Sequence, residues 1–209
     1  MAIIVPTITA ENPHVYREQI ERVQGFATRI HIDLMDGIFT PNKSVLPSQV
    51  WWPDALEADI HMMFQNPEDH IDILIALHPR MIILHAECHA DIAKIAKKLN
   101  EVGIKCGIAL LANTPVSRVV DILPFVQQLL IFSGNLGHQG GSTADVALLT
   151  KVKQAKKMNP SIELAWDGGV NEDNVEEIAN GGIGVINAGG YIHGAKDPEA
   201  AYAQLAQMV

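Results

Sequence analysis

The sequence predicts an α/β protein built as a single (β/α)8 TIM barrel over residues 1–209. Eight short runs of β-branched and aliphatic residues recur along the chain, and most gaps between them carry a helical hydrophobic pattern. Strands that alternate with helical crossovers form parallel βαβ units, and eight such units close into a barrel. The length of 209 residues fits one compact barrel. An open, doubly wound parallel sheet is the structural alternative that strand counting leaves open.

The predicted elements follow one another in regular alternation. The strand candidates are IIV (3–5), RIHID (29–33), ADIHMMF (58–64), MIILHAE (81–87), KCGIAL (105–110), QLLIFS (128–133), IELAW (162–166) and GVINAG (184–189). Amphipathic helices are predicted in ENPHVYREQIERVQGF, DIAKIAKKLNEVG, TADVALLTKVKQAKKMNP and NEDNVEEIANGG. Asn171 and Asn66 are the predicted N-caps, the second followed by proline at the favoured first helical position. The segment 44–58, which has prolines on both sides of Trp51, gives the least clear helical signal.

Composition limits the classes of partner and compartment. The formal net charge of −9 argues against a nucleic-acid partner, which requires a basic face. No apolar stretch is long enough for a membrane span, and the N-terminus is typical of a first strand rather than a signal peptide. Cys88 and Cys106 form no close-spaced pair, so neither a disulfide framework nor a thiolate metal site is predicted. We therefore expect a cytoplasmic protein without a nucleic-acid or membrane partner.

Histidines and aspartates stand at the ends of three predicted strands. His31 and Asp33 are two residues apart and share the lumen face of the second strand, because side chains alternate along a strand. His61 has a similar place on the third strand, and Asp167 ends the seventh. Barrel enzymes build their sites at this C-terminal rim. Two imidazoles and two carboxylates at one mouth suit a borderline divalent ion or an acid–base site, although each residue alone is also typical of a hydrogen-bonded core or turn position.

Glycine-rich loops follow the last three predicted strands. They are GNLGHQGGS (134–142), DGGVN (167–171) and NAGG (187–190). In barrels a phosphate group often binds to backbone N–H groups of the last βα loops, and glycine permits that close approach. Tight turns that need a positive φ are the alternative explanation. His85 and Glu87 alternate on the fourth strand, where they form either a second polar group behind the site or a self-satisfied cluster.

Five segments together resemble one known family. HIDLMDGIFTPN, ADIHMMFQNPEDHI, MIILHAE, GIKCGIAL with its following Thr-Pro, and DGGVNEDNVEEIANGG are similar, in order and spacing, to ribulose-phosphate 3-epimerases. The resemblance covers nearly the whole chain. It implies a (β/α)8 barrel that interconverts D-ribulose 5-phosphate and D-xylulose 5-phosphate through a metal-stabilised enediolate. It also implies a homo-oligomer that acts on a small sugar phosphate in carbohydrate metabolism, in the pentose phosphate pathway.

The resemblance assigns roles residue by residue. It implies one divalent ion (Zn²⁺, Fe²⁺, Mn²⁺ or Co²⁺) bound by His31, Asp33, His61 and Asp167, with the two aspartates also acting as the proton-transfer pair. Thr7 stands where the family usually has serine, and Met35 and Met63 match methionines that line the reacting centre. The remaining substrate-binding residues are predicted in the glycine loops: Gly137, Gly140, Gly168, Gly169, Gly189 and Gly190.

The chain departs from the family pattern on one side of this site. The loop after the sixth strand usually reads Val-x-Pro-Gly-Phe-Gly-Gly-Gln after a methionine, but here it is GNLGHQGGS at 134–142. The usual Gly-Ser after the eighth strand is Gly189-Gly190. The substrate therefore stays open between ribulose 5-phosphate and another ketose such as a hexulose 6-phosphate. A non-catalytic ligand-binding relative is a further alternative, and a decarboxylase or aldol-type synthase is weaker because no lysine follows Asp33 in an Asp-x-Lys pattern.

Overall fold

The computed structural model describes residues 2–138 and 140–209, and it contains a closed barrel of eight parallel strands. Neighbouring strands pair in the order β1 to β8, and β8 returns to β1. The predicted (β/α)8 barrel is confirmed, and the open-sheet alternative is wrong. The strands are β1 (Ile3–Ile8), β2 (Arg29–Met35), β3 (Glu57–Met63), β4 (Met81–His85), β5 (Lys105–Leu110), β6 (Gln128–Phe132), β7 (Glu163–Asp167) and β8 (Val185–Ala188).

Seven α-helices surround the barrel in the described part of the chain. They are α1 (Pro13–Val23), α2 (Ile71–Ile75), α3 (Ile92–Glu101), α4 (Thr150–Met158), α5 (Val175–Asn180), α6 (Gly190–Gly194) and α7 (Pro198–Gln207). Crossovers β2–β3 and β5–β6 contain only short 3-10 turns, and Pro47 opens the turn at 47–49. This explains the weak helical signal of 44–58, since its prolines interrupt a regular helix. None of the helices in 2–138 and 140–209 has the length and apolar character needed to span a bilayer.

The predicted N-cap at Asn171 is wrong, and Asn66 is an N-cap by position only, with proline following it as predicted. The Asn66 side chain makes no capping bond, and Pro67 opens a 3-10 turn instead of an α-helix. Asn171 accepts a hydrogen bond from the Asp173 N–H within a turn, and α5 begins only at Val175. At Asn171 the side chain organises the loop after β7, because an Asn side chain mimics a backbone turn as readily as it caps a helix. Asn12 is a true cap, since its Oδ1 accepts from the first N–H groups of α1.

Two apolar layers build the core. The larger layer lies between the strands and the surrounding helices. A second cluster comes from strand residues alone and fills the barrel lumen with Val5, Met81, Ile83, Ala109, Leu130, Ala165 and Val185. Strand residues are almost all buried, as expected for parallel strands covered on both faces. The lumen is therefore a packed core below the site and not a channel.

A network of charged side chains closes the lower end of the barrel. Asp59 accepts from Arg29 Nε at 2.8 Å and from Arg80 Nη1 at 2.7 Å. Glu163 lies 3.3 Å from both guanidinium groups and accepts from Gln128 Nε2 at 2.7 Å. Asp59 is 1% exposed and Arg29 is 8% exposed, so neither charge has bulk water as a substitute partner. Buried ions of this kind stay tolerable only while both partners are present.

Removing the Asp59 carboxylate should destabilise the barrel without changing the upper rim. We expect Asp59→Asn to lower the free energy of unfolding by about 3–5 kcal/mol, because Arg29 would keep a buried, uncompensated charge. Urea denaturation measures this. The matched control is Glu57→Gln, since exposed Glu57 is 3.5 Å from Arg80 and its loss should cost about 1 kcal/mol or less. Equal effects of the two substitutions would contradict the role of the buried network.

Candidate active site

The register between neighbouring strands brings the strand-end polar residues together. On β2 and β3, Asp33 pairs with His61 and Met35 pairs with Met63. On β1 and β2, Thr7 pairs with His31. Paired residues of parallel strands point to the same face of a sheet, so these side chains share the barrel lumen. Asp167 joins them from the C-terminal end of β7.

Four side chains from β2, β3 and β7 converge on one point. His31, Asp33, His61 and Asp167 each offer a ligand atom, and these atoms all lie within 4.8 Å of one another. His61 Nδ1 is 2.9 Å from Asp33 Oδ1, and His31 Nε2 is 3.4 Å from the same oxygen. Asp167 Oδ2 lies 3.6 Å from His61 Nδ1 and 3.7 Å from His31 Nε2. The structure thus brings together all four residues that the sequence placed in one site.

This group is suited to a divalent ion. His31 is completely buried, yet neither of its ring nitrogens has a hydrogen-bond partner among the described residues. Such an orphan donor is costly unless a ligand satisfies it. Two imidazole nitrogens and two carboxylate oxygens form a donor set that borderline divalent ions accept, and two negative charges balance the charge of the ion. The donor set itself does not select among Zn²⁺, Fe²⁺, Mn²⁺ and Co²⁺.

The two carboxylates have different electrostatic environments. Burial opposes the charge of Asp33, but contacts with His31 and His61 hold the pKa of this carboxyl well below its usual range. Burial and the repulsion from Asp33 together raise the pKa of Asp167 to about 7. Burial also lowers the pKa of His61 to about 4. A pair of carboxyl groups driven in opposite directions is the arrangement that acid–base enzymes use to separate a proton donor from an acceptor.

Two partners of the predicted site were missed from the sequence. The Thr9 hydroxyl donates to Asp33 Oδ2 at 2.7 Å, which leaves the other Asp33 oxygen facing the histidines. Thr9 lies two residues beyond Thr7, so extending the period-two pattern past the first strand would have found it. Asn187 on β8 is 2% exposed and pairs in register with Asp167, and its Oδ1 has no partner among the described residues. Asn187 could have been found from the sequence because it is a polar residue inside the aliphatic run of the eighth strand.

A cavity of about 260 Å³ opens above the group of four. All nine residues predicted to bind substrate line it: Thr7, Met35, Met63, Gly137, Gly140, Gly168, Gly169, Gly189 and Gly190. Their contacts with a substrate stay predictions. Asp33 on β2 and Asp167 on β7 line the same cavity from different strands of the barrel, so a molecule bound there would meet both carboxylates.

Apolar side chains cover one wall of this cavity. Met35, Met63 and Phe132 form a buried cluster, and Phe39, Leu111 and Leu136 pack against it. The two methionines were predicted from the sequence, in which the family's third methionine is absent. Phe132 provides apolar surface on that side, and its ring centroid is 5.9 Å from that of His61. The wall therefore stays apolar despite the altered loop.

The glycine side of the cavity depends on close backbone approaches. Gly168 has φ = 110°, and a Cβ there would lie 2.1 Å from Gly134 N. A Cβ at Gly190 would lie 2.6 Å from the Cα of Gly140. Serine at position 190 would collide with the loop after β6, so the two departures from the family pattern occur at one contact. Gln139, which belongs to that loop, lies outside the described residues.

The loop after β2 is fixed to the site by two polar residues. Asp36 Oδ1 accepts from the N–H groups of Ile38 and Phe39, and its Oδ2 accepts from Gln65 N–H. Asn42 Nδ2 donates to the Gly137 carbonyl at 2.7 Å. These bonds give the Asp36-Gly37 turn and the Pro41-Asn42 pair a structural role, because they connect the loops after β2, β3 and β6.

His193, which lies outside the group of four, makes the stability of the protein depend on pH. Its Nε2–H donates to the Thr7 carbonyl at 2.9 Å, and burial lowers the pKa of His193 from 6.5 to about 4. The unfolded chain therefore binds a proton between these values that the folded chain excludes, so this residue makes stability fall as the pH decreases through that window. Between pH 7 and 5.5 its share is about 1 kcal/mol, or roughly 2–4 °C in Tm.

We expect His193→Gln, which keeps a donor for Thr7, to flatten the Tm profile of metal-free protein between pH 7 and 5.5. Differential scanning calorimetry measures the profile. His14→Gln is the control because the His14 side chain is 81% exposed. Parallel profiles for wild type and His193→Gln would contradict the assignment.

The chain was compared with known proteins by sequence and by structure. A profile of the Ribulose-phosphate 3 epimerase family matches residues 3–193. Ribulose-phosphate 3-epimerase from Mycobacterium bovis is 32% identical, with 97% of this chain and 91% of that protein covered. The Aquifex aeolicus protein of the same name is 30% identical, with coverages of 96% and 93%. The chloroplastic ribulose-5-phosphate-3-epimerase of Arabidopsis thaliana is 31% identical over 93% of this chain and 73% of its own.

Solved structures with low sequence identity share the fold. A 3-hexulose-6-phosphate synthase superposes with a TM-score of 0.73 at 17% identity, and both chains are fully covered. The 3-keto-L-gulonate-6-phosphate decarboxylase from Vibrio cholerae gives a TM-score of 0.71 at 15% identity, with coverages of 99% and 96%. At these identities the likeness shows the barrel architecture alone. The family match and the curated relatives carry the assignment: this chain belongs to the ribulose-phosphate 3-epimerase family and is an isomerase.

Proposed function

We propose that this enzyme interconverts D-ribulose 5-phosphate and D-xylulose 5-phosphate by inverting C3. The observation that carries the proposal is the pair Asp33 and Asp167, which line one cavity from different strands and share a centre with two buried histidines. Inversion requires one group to remove the C3 proton on one face and another to deliver a proton on the opposite face. A single carboxylate cannot reach both faces of a bound sugar.

The two aspartates divide the proton transfers. In one direction Asp33 accepts the C3 proton and Asp167 delivers a proton to the other face. In the reverse direction the roles exchange. The different environments of the two groups support this division, because His31 and His61 stabilise the charge of Asp33 while burial and repulsion from Asp33 disfavour the charge of Asp167. The Thr9 hydroxyl fixes one Asp33 oxygen, so that carboxylate keeps its orientation while its charge changes.

His31, Asp33, His61 and Asp167 are the residues that would hold one divalent ion, either Zn²⁺, Fe²⁺, Mn²⁺ or Co²⁺. When bound, such an ion supplies positive charge that stabilises the negative charge developing on the ketone oxygen. Met35, Met63 and Phe132 exclude water from the same side of the cavity. Exclusion of water strengthens the electrostatic interactions on which a weakly acidic C–H group depends.

The phosphate end of the substrate is assigned to the glycine loops. Gly168, Gly169, Gly189 and Gly190 line the side of the cavity formed by the loops after β7 and β8. Their backbone N–H groups are the local donors that a phosphate needs in a protein whose net charge is −9. The pentose phosphate is preferred over a hexulose 6-phosphate because curated relatives over nearly the whole chain are named for it. A non-catalytic role is not favoured, since the complete proton-transfer pair is present.

We also propose that the enzyme works in the cytoplasm as a homo-oligomer within the pentose phosphate pathway. Cys88 and Cys106 are both free and buried, which is compatible with a reducing compartment. Large apolar side chains are exposed in the loop after β2, where Ile38 is 72% and Leu46 is 60% exposed. Exposed apolar surface in this loop supports an interface with a second copy of the chain, because apolar patches on a protein surface mark interaction sites.

The reaction is tested by proton exchange in D2O. Zn²⁺-supplemented wild type should transfer deuterium to C3 of ribulose 5-phosphate as xylulose 5-phosphate appears, and NMR follows both signals. Asp167→Asn should lower the rate at least about 100-fold, because the proton on one face is then neither removed nor returned. Asp173→Asn, a change at an exposed turn residue beyond β7, is the control. Exchange into a hexulose 6-phosphate alone would replace the substrate, and near-normal activity of Asp167→Asn would disprove the two-aspartate mechanism.

The metal assignment is tested separately from activity. His61→Ala should lower Zn²⁺ affinity at least roughly 100-fold, because loss of a direct ligand should exceed the 10–100-fold cost of losing an outer partner. Competition with a chromogenic chelator measures the affinity. The control is His89→Ala, since His89 is exposed and away from the site. Unchanged Zn²⁺ binding by His61→Ala would remove His61 from the coordination group.

A further inference from the structure

His85 and Glu87 lie on the β4 side of the site and have no role in the mechanism above. They are nevertheless connected to His61 by close contacts. His85 is completely buried, and its ring centroid lies 4.9 Å from that of His61 with an angle of 29° between the ring planes. His85 Nε2 lies 2.9 Å from His61 Nε2. On its other side, His85 Nδ1 lies 3.3 Å from Glu87 Oε2. The three side chains therefore form a continuous chain of hydrogen bonds that ends at a proposed metal ligand.

The direction of each bond in this chain is restricted by chemistry. Only one of two facing imidazole nitrogens can carry the shared proton, and an ionised carboxylate only accepts. His61 turns Nδ1 toward Asp33 and Asp167 and Nε2 toward His85. If Nδ1 offers its lone pair to an ion, Nε2–H must donate to His85 Nε2. His85 then carries its proton on Nδ1 and donates it to Glu87.

A backbone N–H group determines which atom of the side chain at position 87 faces His85. Its Oε1 accepts from the Leu111 N–H at 3.1 Å while Oε2 faces His85. A glutamine at this position would have to keep its carbonyl oxygen on Leu111, since an NH₂ group there would face another donor. Its NH₂ group would then point at His85 Nδ1 and require a lone pair on that nitrogen. Every bond in the chain would reverse, and His61 would carry its proton on Nδ1.

We propose that Glu87 and His85 are positioning residues that fix the tautomer of His61, so that His61 presents the lone pair of Nδ1 to the divalent ion. The inference rests on the metal site of the proposed function. It assigns buried His85 at the end of β4 and half-buried Glu87 just beyond it to metal binding rather than to a self-satisfied polar cluster, which were the two alternatives that the sequence left open. Outer partners of this kind orient a ligating imidazole and raise its basicity.

The reversal of the hydrogen bonds between position 87, His85 and His61 leads to a specific prediction for Glu87→Gln. Without metal, all its hydrogen bonds are still satisfied, because His61 Nδ1–H can donate to Asp33 Oδ1 at 2.9 Å. We therefore expect the metal-free variant to keep the wild-type Tm and to lose Zn²⁺ affinity by about 10–100-fold. A merely structural role would instead lower the Tm of the metal-free form.

The experiment measures Zn²⁺ affinity of the full chain by chelator competition, together with ¹⁵N NMR of histidine side chains with and without Zn²⁺. In Zn²⁺-loaded wild type, His61 should show a protonated Nε2. In metal-free Glu87→Gln it should show a protonated Nδ1. Glu57→Gln, the same change at the opposite end of the barrel, is the control and should bind Zn²⁺ as wild type does.

The outcomes separate this inference from the proposed function. Wild type without measurable Zn²⁺ affinity would remove the metal site itself. If wild type binds Zn²⁺ and Glu87→Gln binds it equally well, the positioning role is overturned. It is also overturned if Glu87→Gln loses affinity while the tautomer of His61 stays unchanged. If Glu87→Gln does not fold, His85→Phe replaces it. The Phe39 and Phe132 rings, whose centroids lie 4.8 and 5.7 Å from that of His85, give an apolar side chain at this position packing partners. Undiminished Zn²⁺ affinity of His85→Phe would equally overturn the inference.

Discussion

The parallel register between β2 and β3 is the constraint on which the rest of the site depends. It sets Asp33 beside His61 and Met35 beside Met63, so polar groups and their apolar cover come from the same pair of strands. A slip of one residue would turn every side chain of one strand to the other face. The slipped strand would present Ile60 and Met62 to the lumen in place of His61. Both strands are buried on both faces, and the same register places Asp59 in the ion network below.

The barrel and its polar mouth were predictable because both follow from local periodicity. Alternation along β2 and the position of Asp167 before two glycines are visible in the sequence alone. The contact between His61 and His85 was not predictable in this way. In register His61 pairs with Ile83, and His85 lies two residues farther along β4. Only the stagger of tilted strands in a closed barrel brings that diagonal pair within 2.9 Å. The N-cap prediction at Asn171 failed for a related reason, since its hydrogen bonds with Asp173 and Asn174 in the loop after β7 place the helix start later.

The departures from the family pattern are easier to understand in three dimensions than along the chain. The altered loop after β6 and Gly190 are about 50 residues apart in sequence, but Gly140 and Gly190 approach so closely that no side chain fits between them. The hydroxyl usual at position 190 is therefore incompatible with this loop conformation. Phe132 meanwhile adds apolar surface to the wall formed by Met35 and Met63. These changes lie on two sides of one cavity, and they leave the four central histidine and aspartate residues in place.

The packed lower end of the barrel affects the order in which a metal ion and a substrate would bind at the upper mouth. In the described residues the apolar lumen layer and the Arg29–Asp59 network fill the barrel below the group of four, and the cavity above it opens at the upper mouth beside the glycine loops. The group lies beneath the cavity in which a sugar phosphate would sit. A metal ion held by the group of four would then have to arrive before the substrate and could not leave while the substrate occupied the mouth. The turnover cycle would thus protect the ion from chelators, and an idle enzyme would lose it sooner than a working one.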